Sequence, residues 1–292
     1  MRKLAIAVTV LLLLAVAGLM LASVGIIPVP FAQRRLGESR AQMPFTPYTL
    51  RQTSEHTAEI RPKLYVNTPC GSIEVKGAEV ESIQITMLVE TSTGSVQRSQ
   101  ELLDKVSLDI NTTGGETRLV VRMPKLESNE NARADLAILV PSATKLELRT
   151  SLGTVQISGI EGDLEAKTSL GDIIVEGFTG TATLQTSLGN VQVSDSRFTD
   201  RLKAVSDLGD VSLSASLARS NILEARLGDL RLHVLPEESY VLEGKVELGG
   251  IYVGVPFEGQ QSDKSIKGTI GQGDQRGSIS ASVSLGALRI SK

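Results

Sequence analysis

The sequence predicts an all-β protein: a right-handed parallel β-solenoid with an N-terminal antiparallel cap that contains one short helix, preceded by a transmembrane helix. Three observations predict this fold. A hexapeptide recurs with a period near 19 residues, apolar and polar residues alternate within each period, and residues 4–27 form an uncharged run. A short fixed period is the signature of a solenoid, in which each turn buries its apolar side against its neighbours.

The recurring hexapeptide is first seen as Thr150–Val155, with a leucine-glycine pair at its centre. Successive repeat glycines are 18, 18, 20, 19, 21 and 37 residues apart, and the last step fits two turns, one of which has lost the motif. The glycines predicted to form corners are Gly153, Gly171, Gly189, Gly209, Gly228, Gly249 and Gly286. The leucines before them are predicted to point inward as one structural ladder: Leu152, Leu170, Leu188, Leu208, Leu227, Leu248 and Leu285.

Each repeat predicts a strand, a tight corner, a second strand and a looser corner. From Leu164 to Gly171 apolar and polar residues alternate, as in a half-buried strand. A Gly-Asp or Gly-Asn step then supplies the positive-φ corner, and equivalent strands of successive turns should stack in parallel about 4.8 Å apart. Small residues are predicted to fill the narrow space beside the ladder, namely Thr150, Thr168 and Thr186.

The N-terminal residues predict a membrane anchor. Residues 1–3 form a basic head, predicted to be cytoplasmic, and residues 4–27 form a signal anchor of roughly 36 Å as a helix, against a bilayer core of about 30 Å. A cleaved signal peptide stays open as the alternative, because Ala15-Val16-Ala17 fits a small-x-small cleavage site. The bulk of the chain is predicted to be extracytoplasmic. Residues 28–63, interrupted by prolines, are predicted to be a linker.

Residues 64–144 predict a first solenoid turn followed by the antiparallel cap. The turn places Cys70 in the slot of a ladder leucine and Gly71 at the corner. Alternating strands follow, with a short amphipathic helix between Ser95 and Lys105. A cap is expected because the end turn of a stack otherwise exposes apolar residues and an unpaired edge. The solenoid repeats then occupy residues 145–292.

These motifs resemble a known family. The string Val140-Pro141, followed by Leu146–Gly153 and repeated with Gly-Asp corners, resembles the bacterial putative-adhesin family of β-strand-repeat domains of unknown function. The likeness runs from Leu64 to Ile290. It implies a β-solenoid in the cell envelope or anchored to a membrane, and it supplies no catalytic residues.

Composition argues against several classes of function. The net charge is −3, with 30 basic and 33 acidic residues, so the chain lacks the basic footprint of a nucleic-acid partner. Tryptophan is absent, which leaves few rings on which sugars could stack. Two histidines and one cysteine cannot build a His/Cys metal cluster, and no catalytic set can be assembled from them. We therefore expect neither an enzyme nor a cofactor.

One candidate ion site lies at the corners. Asp172, Asn190, Asp210 and Asp229 should stack along one edge, where their oxygens could hold Ca²⁺. The same residues are ordinary at such corners, where they bond local amides, and the sequence favours that structural role.

The predicted function is that of a membrane-anchored envelope module for non-catalytic interaction, adhesion or scaffolding. The alternative is a glycan-binding or glycan-modifying β-helix protein, which a cleft gathering acids or aromatic rings would favour. Expected partners are the membrane through residues 4–27 and either an envelope protein or a second copy. The second copy would pair at the C-terminal edge, because Ser284–Lys292 is a full repeat with nothing after it to cover its backbone.

Overall fold

Parallel strands stacked turn upon turn form the body of the protein. The computed structural model describes residues 47–292, which belong to one compact unit. The predicted signal anchor at 4–27 and most of the predicted linker lie outside these residues. Between residues 47 and 292, every helix is too short and too polar to cross a bilayer.

The N-terminal part of the described chain contains strands and one short helix. In chain order they are β1 (Tyr48–Ala58), β2 (Lys63–Cys70), β3 (Ile73–Gly77), β4 (Ile83–Thr93), α1 (Val96–Leu103), β5 (Ser107–Thr113), β6 (Glu116–Arg122) and β7 (Asn131–Val140). The linker prediction for 28–63 is wrong over β1, which pairs antiparallel with β4 along its whole length. This strand gives little apolar alternation in the sequence, because an edge strand is held largely by backbone hydrogen bonds and needs little burial.

The cap is mixed rather than purely antiparallel. β4 and β5 make antiparallel pairs, with β7 and β6 respectively, but β6 and β7 run parallel to the strands of the first turn, β2 and β3. The predicted helix is confirmed as α1, which packs against β1 and β4 and buries Leu102 and Leu103. Ser95 caps it by accepting a hydrogen bond from the Arg98 amide at 3.2 Å.

Each repeat contributes one strand to each of two faces. The repeat strands are β8 (Lys145–Leu152), β9 (Val155–Ser158), β10 (Glu161–Leu170), β11 (Ile173–Glu176), β12 (Thr179–Leu188), β13 (Val191–Leu208), β14 (Val211–Ser216), β15 (Ser220–Leu227) and β16 (Leu230–His233). Strands that end at the repeat leucine form the front face: β8, β10, β12, residues 201–208 of β13, and β15. Strands that follow the corner form the back face: β9, β11, residues 191–197 of β13, β14 and β16.

The core lies between the two faces. Ala166 on the front face and Ile173 and Val175 on the back face are fully buried, as the alternation predicts. Phe178 and Phe198 fill the looser corner of successive turns, with ring centroids 5.7 Å apart. The stack is therefore held by apolar ladders that run from turn to turn, as well as by the parallel backbone pairing.

The repeat leucines stack in register but point outward, so the prediction of a buried ladder is wrong. Their exposed fractions run from 44% for Leu188 to 64% for Leu248. The corner begins at the serine, one residue earlier than the alternation suggests, and both Ser169 and Leu170 are exposed. Thr168 is the last inward residue, and its hydroxyl donates to the Gly153 carbonyl of the preceding turn at 3.0 Å.

Burial of the three small residues is confirmed, although the leucines beside which they were predicted to lie face solvent. Thr150, Thr168 and Thr186 are buried, and each hydroxyl bonds a glycine carbonyl one turn earlier in the stack. Ser206 repeats the contact with Gly189 at 2.8 Å. Because this bond holds the chain just before the serine, the next two residues are turned to solvent.

The last strands break the sequential order of the turns. They are β17 (Glu238–Val253), β18 (Phe257–Gln261), β19 (Ser265–Gly271) and β20 (Asp274–Ser291). β20 lies between the turn of β15 and β16 on one side and β17 on the other, with parallel pairing to both. β18 and β19 form a hairpin, and β19 pairs antiparallel with β17.

This arrangement overturns two predictions. The 37-residue step between Gly249 and Gly286 holds a capping hairpin rather than a turn that lost its motif. The C-terminal strand is not an unpaired edge, because Leu285 lies between Leu227 and Leu248, and Leu288 and Ile290 are buried. The hairpin brings the chain back into the stack, which the spacing of the repeat does not show.

Candidate interaction surface and corner row

An exposed row of leucines is the most distinctive surface of the protein. We call it the leucine ridge; in spatial order it consists of Leu152, Leu170, Leu188, Leu208, Leu227, Leu285 and Leu248. Cys70, half-buried, continues the row beyond Leu152. At the usual strand spacing of about 4.8 Å the ridge is roughly 30 Å long and one side chain wide.

The glycine after each leucine keeps the corner tight enough to present the ridge. Gly189 shows the constraint: its φ is +148°, and a Cβ there would lie 2.1 Å from the Gly171 carbonyl oxygen. A side chain at this position would thus be strained and would collide with the backbone of the preceding turn. The same positive-φ corner recurs after every ridge leucine, which explains the glycine at each of those positions.

A shallow groove of about 540 Å³ lies beside the ridge on the front face. Short hydroxyl side chains line it, among them Ser151, Ser169 and Ser187. Its charged side chains are mostly paired: Arg149 contacts Glu147 at 2.8 Å, and Arg226 contacts Asp207 at 2.9 Å. The lining has mixed charge and contains no aromatic ring.

The structure brings the four predicted corner residues together as a row of hydrogen bonds. Asp172 Oδ1 accepts from the Asn190 amide at 2.7 Å, and Asn190 Oδ1 accepts from the Asp210 amide at 2.9 Å. Asp210 and Asp229 continue the pattern, with Asp229 accepting from Ala287 at 2.9 Å. Each side chain therefore satisfies the corner amide of the next turn.

The remaining carboxylate oxygens of Asp210 and Asp229 face arginines. Arg231 donates to Asp210 at 2.5 Å and to Asp229 at 3.0 Å. Burial by itself would raise the pKa of Asp210, but hydrogen bonds from the Asp229 amide and Arg231 lower this pKa below its ordinary value. Within residues 47–292, no cluster of three or more His, Cys, Asp or Glu side chains could hold a metal ion. The row thus acts as a structural brace between turns.

We expect Asp210→Ala to lower the free energy of unfolding by about 1–3 kcal/mol, because the Asp229 amide loses its acceptor. Asp210→Asn keeps that acceptor and should cost less than about 1 kcal/mol, since only a surface ion pair is lost. Denaturant midpoints would measure both, and the wild type should melt at the same temperature in Ca²⁺ and in chelator. A calcium-dependent rise in melting temperature that Asp210→Ala removes would show that the row binds a cation.

A buried polar network near the C-terminal end leaves no recognisable signal in the sequence. The Glu238 carboxylate accepts from Ser216 at 2.8 Å, from Arg276 at 2.8 Å and from the Tyr240 hydroxyl at 2.6 Å. That hydroxyl in turn accepts from the Leu217 amide at 2.9 Å, and burial together with the bond to Glu238 raises the pKa of Tyr240. Glu238 follows Pro236-Glu237 and resembles a solvent-exposed turn in the sequence. Its partners are satisfied, so the network is structural.

Comparisons with known proteins agree with this architecture. A putative adhesin from Bacteroides fragilis has a TM-score of 0.50 at 13% identity, over 82% of this chain and 97% of that chain. A putative cell adhesion protein from Clostridium sporogenes has a TM-score of 0.31 at 11% identity, over 82% of this chain and 99% of that chain. At 13% identity, the likeness to the Bacteroides fragilis protein shows the fold alone. No curated protein matches the chain.

The family model described as Toastrack DUF4097 matches residues 62–227, which include the first turn, most of the cap and the repeat strands from β8 to β15. The match covers more than half of the chain. This protein therefore belongs to the Toastrack DUF4097 family.

Proposed function

We propose that this protein is a non-catalytic interaction module of the bacterial cell envelope. Residues 4–27 anchor it in the membrane, and the bulk of the chain is extracytoplasmic. The observation that carries the proposal is the exposed leucine ridge, which is the surface proposed to contact an envelope partner. The fold shared with the putative adhesin from Bacteroides fragilis supports an interaction role.

The ridge is larger than folding requires. Each of its leucines keeps close to half or more of its surface in solvent, so a polar residue there would cost the fold little. Contiguous apolar patches above a few hundred Å² are uncommon on soluble monomers and often mark binding sites. Because the ridge is convex and one side chain wide, its complement is an apolar groove on the partner.

The stack is further proposed to wind as a right-handed solenoid. Consecutive strands of each face run parallel and are joined through the other face, and connections between parallel strands are right-handed in nearly all proteins. The glycan alternative has weaker support, because the groove beside the ridge lacks aromatic rings and gathers no group of acids.

A photo-crosslinking residue at position 188 of the full chain, in its native membrane, tests the ridge. We expect a discrete crosslinked partner from position 188 and none from the matched position Gln192, which is exposed on the back face. Adding Leu170→Ser and Leu208→Ser should abolish the crosslink while the melting temperature changes little. Equal crosslinking from positions 188 and 192, or a crosslink that survives both serines, would contradict the proposal.

A further inference from the structure

Strand β1 presents a long open edge at the N-terminal end of the back face. It pairs with β4 on one side, and no other strand within residues 47–292 pairs with it. The edge is 11 residues long, and seven of them are exposed. An exposed edge strand carries unpaired backbone donors and acceptors, which makes it a template for another strand. At the opposite end of the stack, β19 pairs with residues 239–245 of β17.

The outward side chains of β1 are arranged symmetrically about Thr53. Thr49, Arg51, Thr53, Glu55 and Thr57 alternate along one side of the strand, and all five are exposed. In an antiparallel pair, directly opposite residues lie on the same face and contact each other. A copy of β1 placed antiparallel with Thr53 opposite Thr53 therefore sets Arg51 against Glu55, twice, and Thr49 against Thr57.

We propose that a second copy of this chain pairs with β1 in this register, across a two-fold axis at Thr53. Shifting the axis by one residue in either direction places Arg51 and Glu55 against threonines, so the charges select the register. Arg51 already contacts Glu90 of its own chain at 2.6 Å and would then lie between two carboxylates. Glu55 makes no ion pair with any residue between 47 and 292, and the dimer supplies one. A two-fold interface of this kind is self-complementary and closes without forming a polymer.

The interface is independent of the leucine ridge. A single strand pair buries less than the roughly 1,000 Å² expected of a stable complex, so the dimer is weak in dilute solution. Crosslinking in the full chain captures such a contact better than sedimentation does. The ridge and this edge are tested by different variants, and the failure of one leaves the other standing.

Single cysteines in a Cys70→Ser background test the register. The full chain in detergent micelles is treated with a bis-maleimide of short span. Thr53→Cys should give a covalent dimer, because position 53 faces itself. Thr49→Cys and Thr57→Cys should give almost none alone and a strong dimer when the two proteins are mixed. Equal yields from all three single variants would overturn the proposed register. The absence of a dimer from Thr53→Cys would overturn the proposal as well, and it is the result expected if residues 1–46 cover the edge.

Charge reversal provides the second test, measured as the yield of the crosslink at position 53. Arg51→Glu and Glu55→Arg should each lower that yield by at least about fivefold, because both opposed pairs become like-charged. A mixture of the two variants should restore it, since each glutamate then faces an arginine. Loss of the contact between Arg51 and Glu90 within one chain would not be repaired by mixing. A mixture that stays at the level of the single variants would contradict the proposed register.

Discussion

Gly189→Ala is expected to lower the free energy of unfolding by more than about 4 kcal/mol, and so to leave little folded protein. The glycine has a φ of +148°, which L-residues rarely adopt. A methyl group there would also lie 2.1 Å from the Gly171 carbonyl oxygen, a backbone atom of the preceding turn that cannot move without disturbing the parallel pairing between the two turns. Circular dichroism during urea denaturation would measure the loss.

Gly177→Ala is the matched control for this prediction. Gly177 has a φ of +60°, but the nearest atom to an added Cβ lies 3.7 Å away, which is ordinary contact. Only the left-handed backbone conformation is then strained, at a cost of about 1–2 kcal/mol. If both glycine variants lost the same stability, close stacking of the corners would not be what requires glycine at position 189.

Leu184→Ala is expected to cost about 2–5 kcal/mol, because a fully buried leucine is removed from the core of the stack. Leu188→Ala, four residues later in the same strand, should cost less than about 1 kcal/mol, since that side chain is 44% exposed. Leu184→Asp should prevent folding, because an unpaired carboxylate would be buried. Denaturant midpoints of the alanine variants would compare the two positions directly.

This pair of positions decides between two registers of the same strand. Simple alternation through Thr186 places both Leu184 and Leu188 inside, whereas in the structure the chain turns at Ser187. Similar losses for the two alanine variants would mean that Leu188 is buried and that no leucine ridge exists. The proposed function would then lose the surface on which it depends.

The repeat and most of the core could be predicted from the amino-acid pattern. Local patterns of apolar residues predict the period of the repeat and the helix near Leu102. They also predict the inward positions, such as Ala166, Ile173 and Val175. Those patterns are dependable because burial on one side of a strand or helix imposes its own spacing. The corner row was also predicted, with amide bonding favoured over cation binding.

The direction in which the repeat leucines face depends on contacts between turns and could not be predicted from the amino-acid pattern. The alternation of inward and outward side chains changes phase within the four residues between Thr168 and Ile173. The apolar pattern of the sequence does not show at which of these four residues the change occurs. A hydrogen bond to another turn, from the Thr168 hydroxyl to the Gly153 carbonyl, determines where the strand ends. The surface that carries the proposed function therefore depended on a contact between residues 15 positions apart.

The order of the last turns and the strand at 48–58 were decided in the same way. β17 and β20 carry the same motif, so either could follow β16, and the hairpin of β18 and β19 lets the later strand take that place. β1 has almost no apolar pattern because its pairing with β4 rests on backbone groups that every residue possesses. The pattern of apolar side chains indicates which residues are buried. Which strands become neighbours depends on backbone hydrogen bonds between distant residues, and these bonds do not require a particular local sequence.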